Sequence, residues 1–225
     1  MENLERMISW LPALLMGARI TIALTVTSVT MGVFLSVFLA LGKISRKVII
    51  NKLCSGYIFF FRGTPLLMQL YFIYYALPLI SPIFIIPIRN HELNRFVYAF
   101  IAYSLNVAAY SAEIVRAAIQ SIDKGQFEAS RALGLSYAQT FRLVIIPQSI
   151  RRLIPPVGNE FILILKDTSL VSMIALIDIT RATRAIEGST RSALVYIPAM
   201  ILYLIITWLF TVIFNWLEKK YSVYE

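Results

Sequence analysis

The sequence predicts an all-α integral membrane protein, a single domain over residues 1–225 with about five transmembrane helices, and three observations carry that prediction. Hydrophobic residues make up 59% of the chain and charged residues only 15%, where soluble domains carry about a quarter charged. Residues 20–42, 63–88, 96–112 and 192–217 contain no Asp, Glu, Lys or Arg, and a span needs roughly 20 mostly apolar residues. A fifth apolar region, 153–177, is interrupted by Glu160, Lys166 and Asp167 and contains the helix-breaking run Pro155-Pro156-Val157-Gly158. Spans of this number use most of the chain and leave no room for a sizeable soluble domain.

The elements follow in order from the N-terminus. Glu2 and Glu5 stand ahead of Arg6, so the start lacks the cationic opening of a secretory signal. Residues 4–16 are expected as an interfacial helix before the first span. Arg19, near the outer end of that span, can snorkel to the interface. Assigning the loops alternately to two sides places twelve Lys and Arg on the side holding Lys43, Arg131 and Lys220, and seven on the side holding Arg6, Arg89 and Arg191. Basic residues collect in loops that stay inside, so the first side is expected to be cytoplasmic, with the N-terminus outside and the C-terminus inside. The net charge of +9 is then a topology signal. No basic stripe or stacking module supports nucleic-acid binding.

Several chemistries are excluded. Cys54 is the only cysteine, which rules out an intrachain disulfide and a cysteine-based metal site, and His91 stands alone in a loop. There is no H-E-x-x-H, nucleophile elbow or supported pair of catalytic acids. No catalytic, metal or cofactor residue is therefore expected.

The longest cytoplasmic segment, 114–152, has the most definite local signals. Asp123 with Gln126 three residues on resembles a capping box that opens a helix, and Gly134 is placed to end that helix in a left-handed conformation. Ser136 with Gln139 repeats the box and starts a second helix at Tyr137. The first helix, about ten residues long, shows Phe127 beside the small residues Ala129, Ser130 and Ala132. Glu128 and Arg131 have the i,i+3 spacing of a local ion pair. By itself this is an amphipathic connector.

The combination Gly125-Gln126-Phe127-Glu128-Ala129-Ser130, then Gly134, then Val144-Ile145-Ile146-Pro147 resembles the EAA loop of ABC importer permeases. Glu128, Ala129, Gly134 and Pro147 match at the family's spacing, while Ser130, Val144 and Ile146 depart from it with residues of similar size. Arg62-Gly63-Thr64-Pro65, Ala109-Tyr110-Ser111-Ala112-Glu113 and Leu165-Lys166-Asp167-Thr168-Ser169-Leu170 extend the likeness to the polar amino acid branch, over nearly the whole chain.

The resemblance implies a type I permease fold in a bacterial cytoplasmic membrane and a helix that docks on a cytoplasmic ABC ATPase dimer. Gln126, Phe127, Glu128, Ala129, Ser130, Arg131, Ala132 and Gly134 would carry that coupling. ATP and Mg would be bound by the partner ATPase, since this chain has no phosphate loop; its one Gly-Lys pair, Gly42-Lys43, is followed by Ile44. A second permease copy or close relative, an external substrate-binding protein and an amino acid substrate complete the implied system.

Ionisable groups inside a membrane are costly and default to functional candidates. Glu160, with Asn159 beside it, could hold the cationic end of an amino acid; an ion pair with Arg62, Arg116 or Lys166 is the structural alternative. Glu113 and Arg116 share the i,i+3 spacing of a local pair. Gln69 and Asn106 lie at mid-span depth, where they could line a pathway or bond between helices. Tyr71, Phe72, Tyr74 and Tyr75 read as an interfacial aromatic belt. The substrate expected from this charge balance is a basic amino acid, with glutamine next, and it requires that Arg62 be drawn toward the cytoplasmic boundary. An ion-coupled secondary transporter or channel and a membrane-embedded hydrolase are the competing classes.

Overall fold

The computed structural model describes residues 2–221, and every regular element among them is helical. Helix α1 (Glu2–Ile44) runs unbroken for 43 residues, about 64 Å at the usual rise. The separate interfacial helix expected over 4–16 is thus corrected to the N-terminal end of α1. Pro12 does not interrupt it because the carbonyl it leaves without a helical donor belongs to Ile8, which is 54% exposed.

The segment between the first two expected spans is not a loop. It forms α2 (Val48–Gly63), which meets the following run at a bend of 105°. Pro65 makes the corner, since a proline pushes its predecessor out of the helical region and Thr64 is extended at φ −120°, ψ 145°. After the corner, α3 (Leu66–Tyr71) and α4 (Leu77–Ile80) are joined by a wide turn over Phe72–Ala76, just ahead of Pro78.

Helix α5 (His91–Gln120) leads to α6 (Lys124–Ala132) and α7 (Tyr137–Thr140). A second wide turn, Phe141–Ile145, again precedes a proline, Pro147, and opens α8 (Ile146–Asp167). The expected break at Pro155-Pro156 is also corrected: both prolines lie inside continuous α8. The carbonyls they leave without helical donors belong to Arg151 and Arg152, whose positions are exposed. The helix tightens instead after Asp167, into the 3-10 turn Thr168–Ile174 that closes on left-handed Ala175. Helix α9 (Ile179–Thr190) and the last span, α10 (Tyr196–Tyr221), complete the chain.

The five expected spans correspond to α1, α3 with α4, α5, α8 and α10. Among the described residues, α1 and the stretch Ala193–Tyr221 are long and apolar enough to cross alone, and α2 with α3 and α4 reach that standard as a bent pair. In lipid, helices associate through close backbone approach at small residues, and α1 and α5 pack that way. Thr25, Ser28, Gly32, Ser36 and Ala40 are buried on α1, and Ala99, Ala102, Ala108, Ala109 and Ala112 on α5. A methyl at Gly32 would lie 2.5 Å from Val107 Cβ. Around this seam the core gathers Leu24, Leu70, Tyr103, Phe161 and Ile164.

Candidate functional site

The segment after α5 builds an exposed helix from local signals. Asp123 caps α6 by accepting a hydrogen bond from Gly125 N, 2.6 Å away. Gln126 does not return the bond to Asp123; its Oε1 accepts from Gln148 Nε2 instead, so this box is half formed. The C-terminal end is complete. Gly134 sits at φ +76°, its N–H donates to Arg131 O at 2.9 Å, and Leu135 N–H donates to Ser130 O at 3.0 Å, the paired bonds of a Schellman ending. Ser136 and Gln139 form the full capping box that starts α7.

These caps fix which faces of α6 are presented. Gln126, Glu128, Ala129, Arg131, Ala132 and Gly134 are exposed. Phe127 turns inward to meet the Phe141 ring at 6.0 Å, and Ser130 is buried, its hydroxyl bonded to Gln126 O. The Glu128–Arg131 ion pair expected from spacing is absent among the described residues. Leu133, 79% exposed at the end of α6, was not anticipated. An apolar residue next to the glycine that ends an exposed helix was the available signal.

The intramembrane candidates fall in separate places. Gln69 closes the bend between α2 and α3. Its Nε2 donates to the carbonyls of Phe61 and Thr64, at 2.8 and 3.0 Å, and to Thr64 Oγ1, while its Oε1 accepts from Asn106 Nδ2 of α5 at 2.9 Å. Broken backbone at membrane depth persists only where its polar groups find partners, and this amide pair supplies them. Glu113 lies toward the end of α5 that carries α6, with one oxygen on Lys43 of α1 and the other on Arg116, at 2.5 and 2.7 Å. The Arg116 pair follows the sequence spacing; Lys43, seventy positions away, could not be read from it.

Glu160 is only 8% exposed on α8, and among the described residues it forms no ion pair with Arg62, Arg116 or Lys166. Arg62 is drawn off Glu160: its guanidinium stacks over the Tyr110 ring of α5, 5.4 Å from the centroid, one turn before Glu113, which Lys43 engages. Asn159 is exposed and turns to a cleft shared with Thr211 and Asn215 of α10, so it does not share a surface with Glu160. The Asp167 carbonyl, at the end of α8, accepts from Tyr103 Oη at 2.6 Å. Among the described residues no group of three or more His, Cys, Asp or Glu is arranged to hold a metal ion.

Residues 32–222 match the family described as binding-protein-dependent transport system inner membrane component. The chain is 38% identical over 212 residues to the L-cystine transport system permease protein TcyL of Bacillus subtilis, covering 94% of this chain and 88% of that protein. It is 40% identical over 210 residues to the octopine transport system permease protein OccM of Rhizobium radiobacter, covering 92% and 84%. It is also 34% identical over 214 residues to the glutamine transport system permease protein GlnP of Escherichia coli, covering 95% and 94%. Among solved structures, an amino acid ABC transporter crystallised with histidines superposes with a TM-score of 0.86 at 38% identity, covering 96% of this chain and 97% of that one.

Proposed function

The chain belongs to the family of binding-protein-dependent transport system inner membrane components, and on that premise we propose that it forms the pathway of an ATP-driven importer for a basic amino acid. That it is an amino acid ABC transporter permease subunit follows from the relatives and the fold. Permease subunits are not themselves enzymes, and hydrolysis belongs to a separate ATPase.

The finer assignments rest on the geometry. The end of the bundle carrying Lys43, Arg116 and α6 is the cytoplasmic one, with the N-terminus outside. The capped helix α6 presents Ala129, Ala132 and Leu133 to the ATPase, small and apolar groups that let another backbone approach. A second copy of this chain or a close relative faces it across the pathway, and a substrate-binding protein delivers the amino acid from outside.

One observation supports a basic substrate: Glu160 is a buried carboxylate with no cation in contact. A buried acid without a partner is costly, and the ammonium or guanidinium of a ligand would relieve that cost. Truncating one partner of such a pair costs on the order of 2 to 5 kcal/mol, so Glu160→Gln weakens uptake of a basic amino acid roughly tenfold or more. The likeness to the glutamine permease favours a neutral substrate as the second reading. Competition uptake by the complete transporter with arginine, lysine, histidine and glutamine separates the two. Preference for glutamine that Glu160→Gln leaves unchanged would refute the assignment.

A further inference from the structure

Beyond the transport pathway, we propose that the turn between α1 and α2 and the neighbouring face of α6 form a binding site for the headgroup of an anionic phospholipid. A cavity of about 750 Å³ opens there, with Arg46 and Arg131 on its polar side and Leu41, Ile44, Tyr137 and Phe141 as its apolar walls. The two arginines come from parts of the chain 85 positions apart, and neither guanidinium makes a hydrogen bond or ion pair with another described residue. The acids that could have neutralised them are otherwise placed: Glu113 is engaged by Lys43 and Arg116, and Glu128 leaves Arg131 unpaired.

Two guanidinium groups facing one cavity repel unless an anion sits between them, and their forked donors suit phosphate oxygens. Their position is held by structure on both sides. The α1–α2 turn is fixed by Ser45 N–H to Gly42 O and Lys47 N–H to Ser45 Oγ, both at 3.2 Å. Arg131 lies on the capped helix α6.

The apolar walls decide which anion. An acidic side chain from another protein would need only the arginines, whereas a phospholipid also has acyl chains to cover. Leaving the cavity along α1, Leu41, Phe38 and Phe34 recur at spacings of three and four residues and are 48%, 60% and 59% exposed, a single apolar track on one helix face. Tyr137, 71% exposed, supplies an aromatic rim of the kind found at headgroup depth. Basic pockets between helices at the cytoplasmic boundary are where anionic headgroups bind. A lipid seated here bridges the α1–α2 turn and α6. The inference depends on the membrane placement above and not on the substrate.

The test uses the full chain purified with its ATPase from nanodiscs of phosphatidylcholine, with or without phosphatidylglycerol, and counts by mass spectrometry the phosphatidylglycerol retained per permease. One cation near an anionic lipid accounts for about a fivefold change in retention. Arg46→Ser is expected to lower retention by about that factor and Arg46→Lys to keep most of it. Lys52→Ser, an exposed cation outside the cavity, should leave it unchanged and so controls for loss of general surface charge. Equal retention in Arg46→Ser and the unmodified protein overturns the proposal. So does displacement of the lipid by excess inorganic phosphate, which would make the site one for free phosphate. Loss of the ATPase from Arg46→Ser with phosphatidylglycerol retention intact would assign the arginines to a protein contact instead.

Discussion

Replacing Gly134 isolates the backbone term that ends α6. Gly134 lies at φ +76°, and a Cβ built there meets no other atom within 4 Å, so a substitution costs nothing in steric contact and only the price of the left-handed conformation. For an L-residue that is roughly 1–2 kcal/mol, less for asparagine, whose side chain tolerates the region, and most for β-branched valine. The helix has few tertiary anchors, chiefly Phe127 on Phe141 and Gln126 with Gln148, so the cost appears as local opening rather than global unfolding. Gly134→Ala should therefore raise exchange of the Gly134 and Leu135 amides about five- to thirtyfold, with Gly134→Asn near the unmodified protein and Gly134→Val beyond both. Hydrogen–deuterium exchange on the reconstituted complex measures this, with uptake and hydrolysis followed in parallel. Gly134→Val should also uncouple hydrolysis from transport. Equal exchange in the three variants would show that positive φ does not set the stability of this helix end.

Other consequences concern the membrane core. A methyl at Gly17 would sit 2.6 Å from the Asp178 carbonyl oxygen, which is backbone and cannot swing aside, so Gly17→Ala should lower stability by about 1–3 kcal/mol. Gly56→Ala, with open space around its Cβ, should not, and thermal unfolding of the two side by side decides it. Asn106→Ala removes the donor to Gln69 Oε1 and leaves that buried acceptor unsatisfied, at about 1–3 kcal/mol; an unchanged melting temperature would mean that water or another group replaces it.

What the sequence revealed and what it hid differ by the range of the forces involved. Asp123, Gly134, Ser136 and Gln139 act within a few residues of themselves, and the caps they predict around α6 and α7 are present, apart from the reciprocal bond of Gln126. Apolar stretches likewise reported the spans, because the lipid requirement is local to each helix. Prolines misled the reading. Pro155 and Pro156 are expected to break the fifth span, yet each frees a carbonyl at an exposed position, as Pro12 does within α1, while Pro65 bends the chain at a site that Gln69 and Asn106 can seal. Helix α2 was hidden because Lys43, Lys47, Lys52 and Arg62 made its region look like a loop. Helix α9 begins at Asp178, whose carboxylate caps Thr180 and Arg181 N–H groups at 3.0 and 2.8 Å; that signal was present and was passed over in an outer loop. The partners of charged groups were least legible. Lys43 on Glu113, Arg62 over Tyr110 and the cavity that Arg46 and Arg131 both line all depend on segments distant in sequence being packed together.

The central claim is that this permease couples to a separate ATPase through α6. A single cysteine at Ala129, introduced with Cys54→Ser and assembled with the ATPase, tests it by crosslinking in membranes that still transport. The account predicts a crosslink to the ATPase from Ala129→Cys and none from a cysteine at Gly188 in α9, at the opposite end of the bundle. Full amino acid uptake with no ATPase crosslink from Ala129→Cys would contradict it.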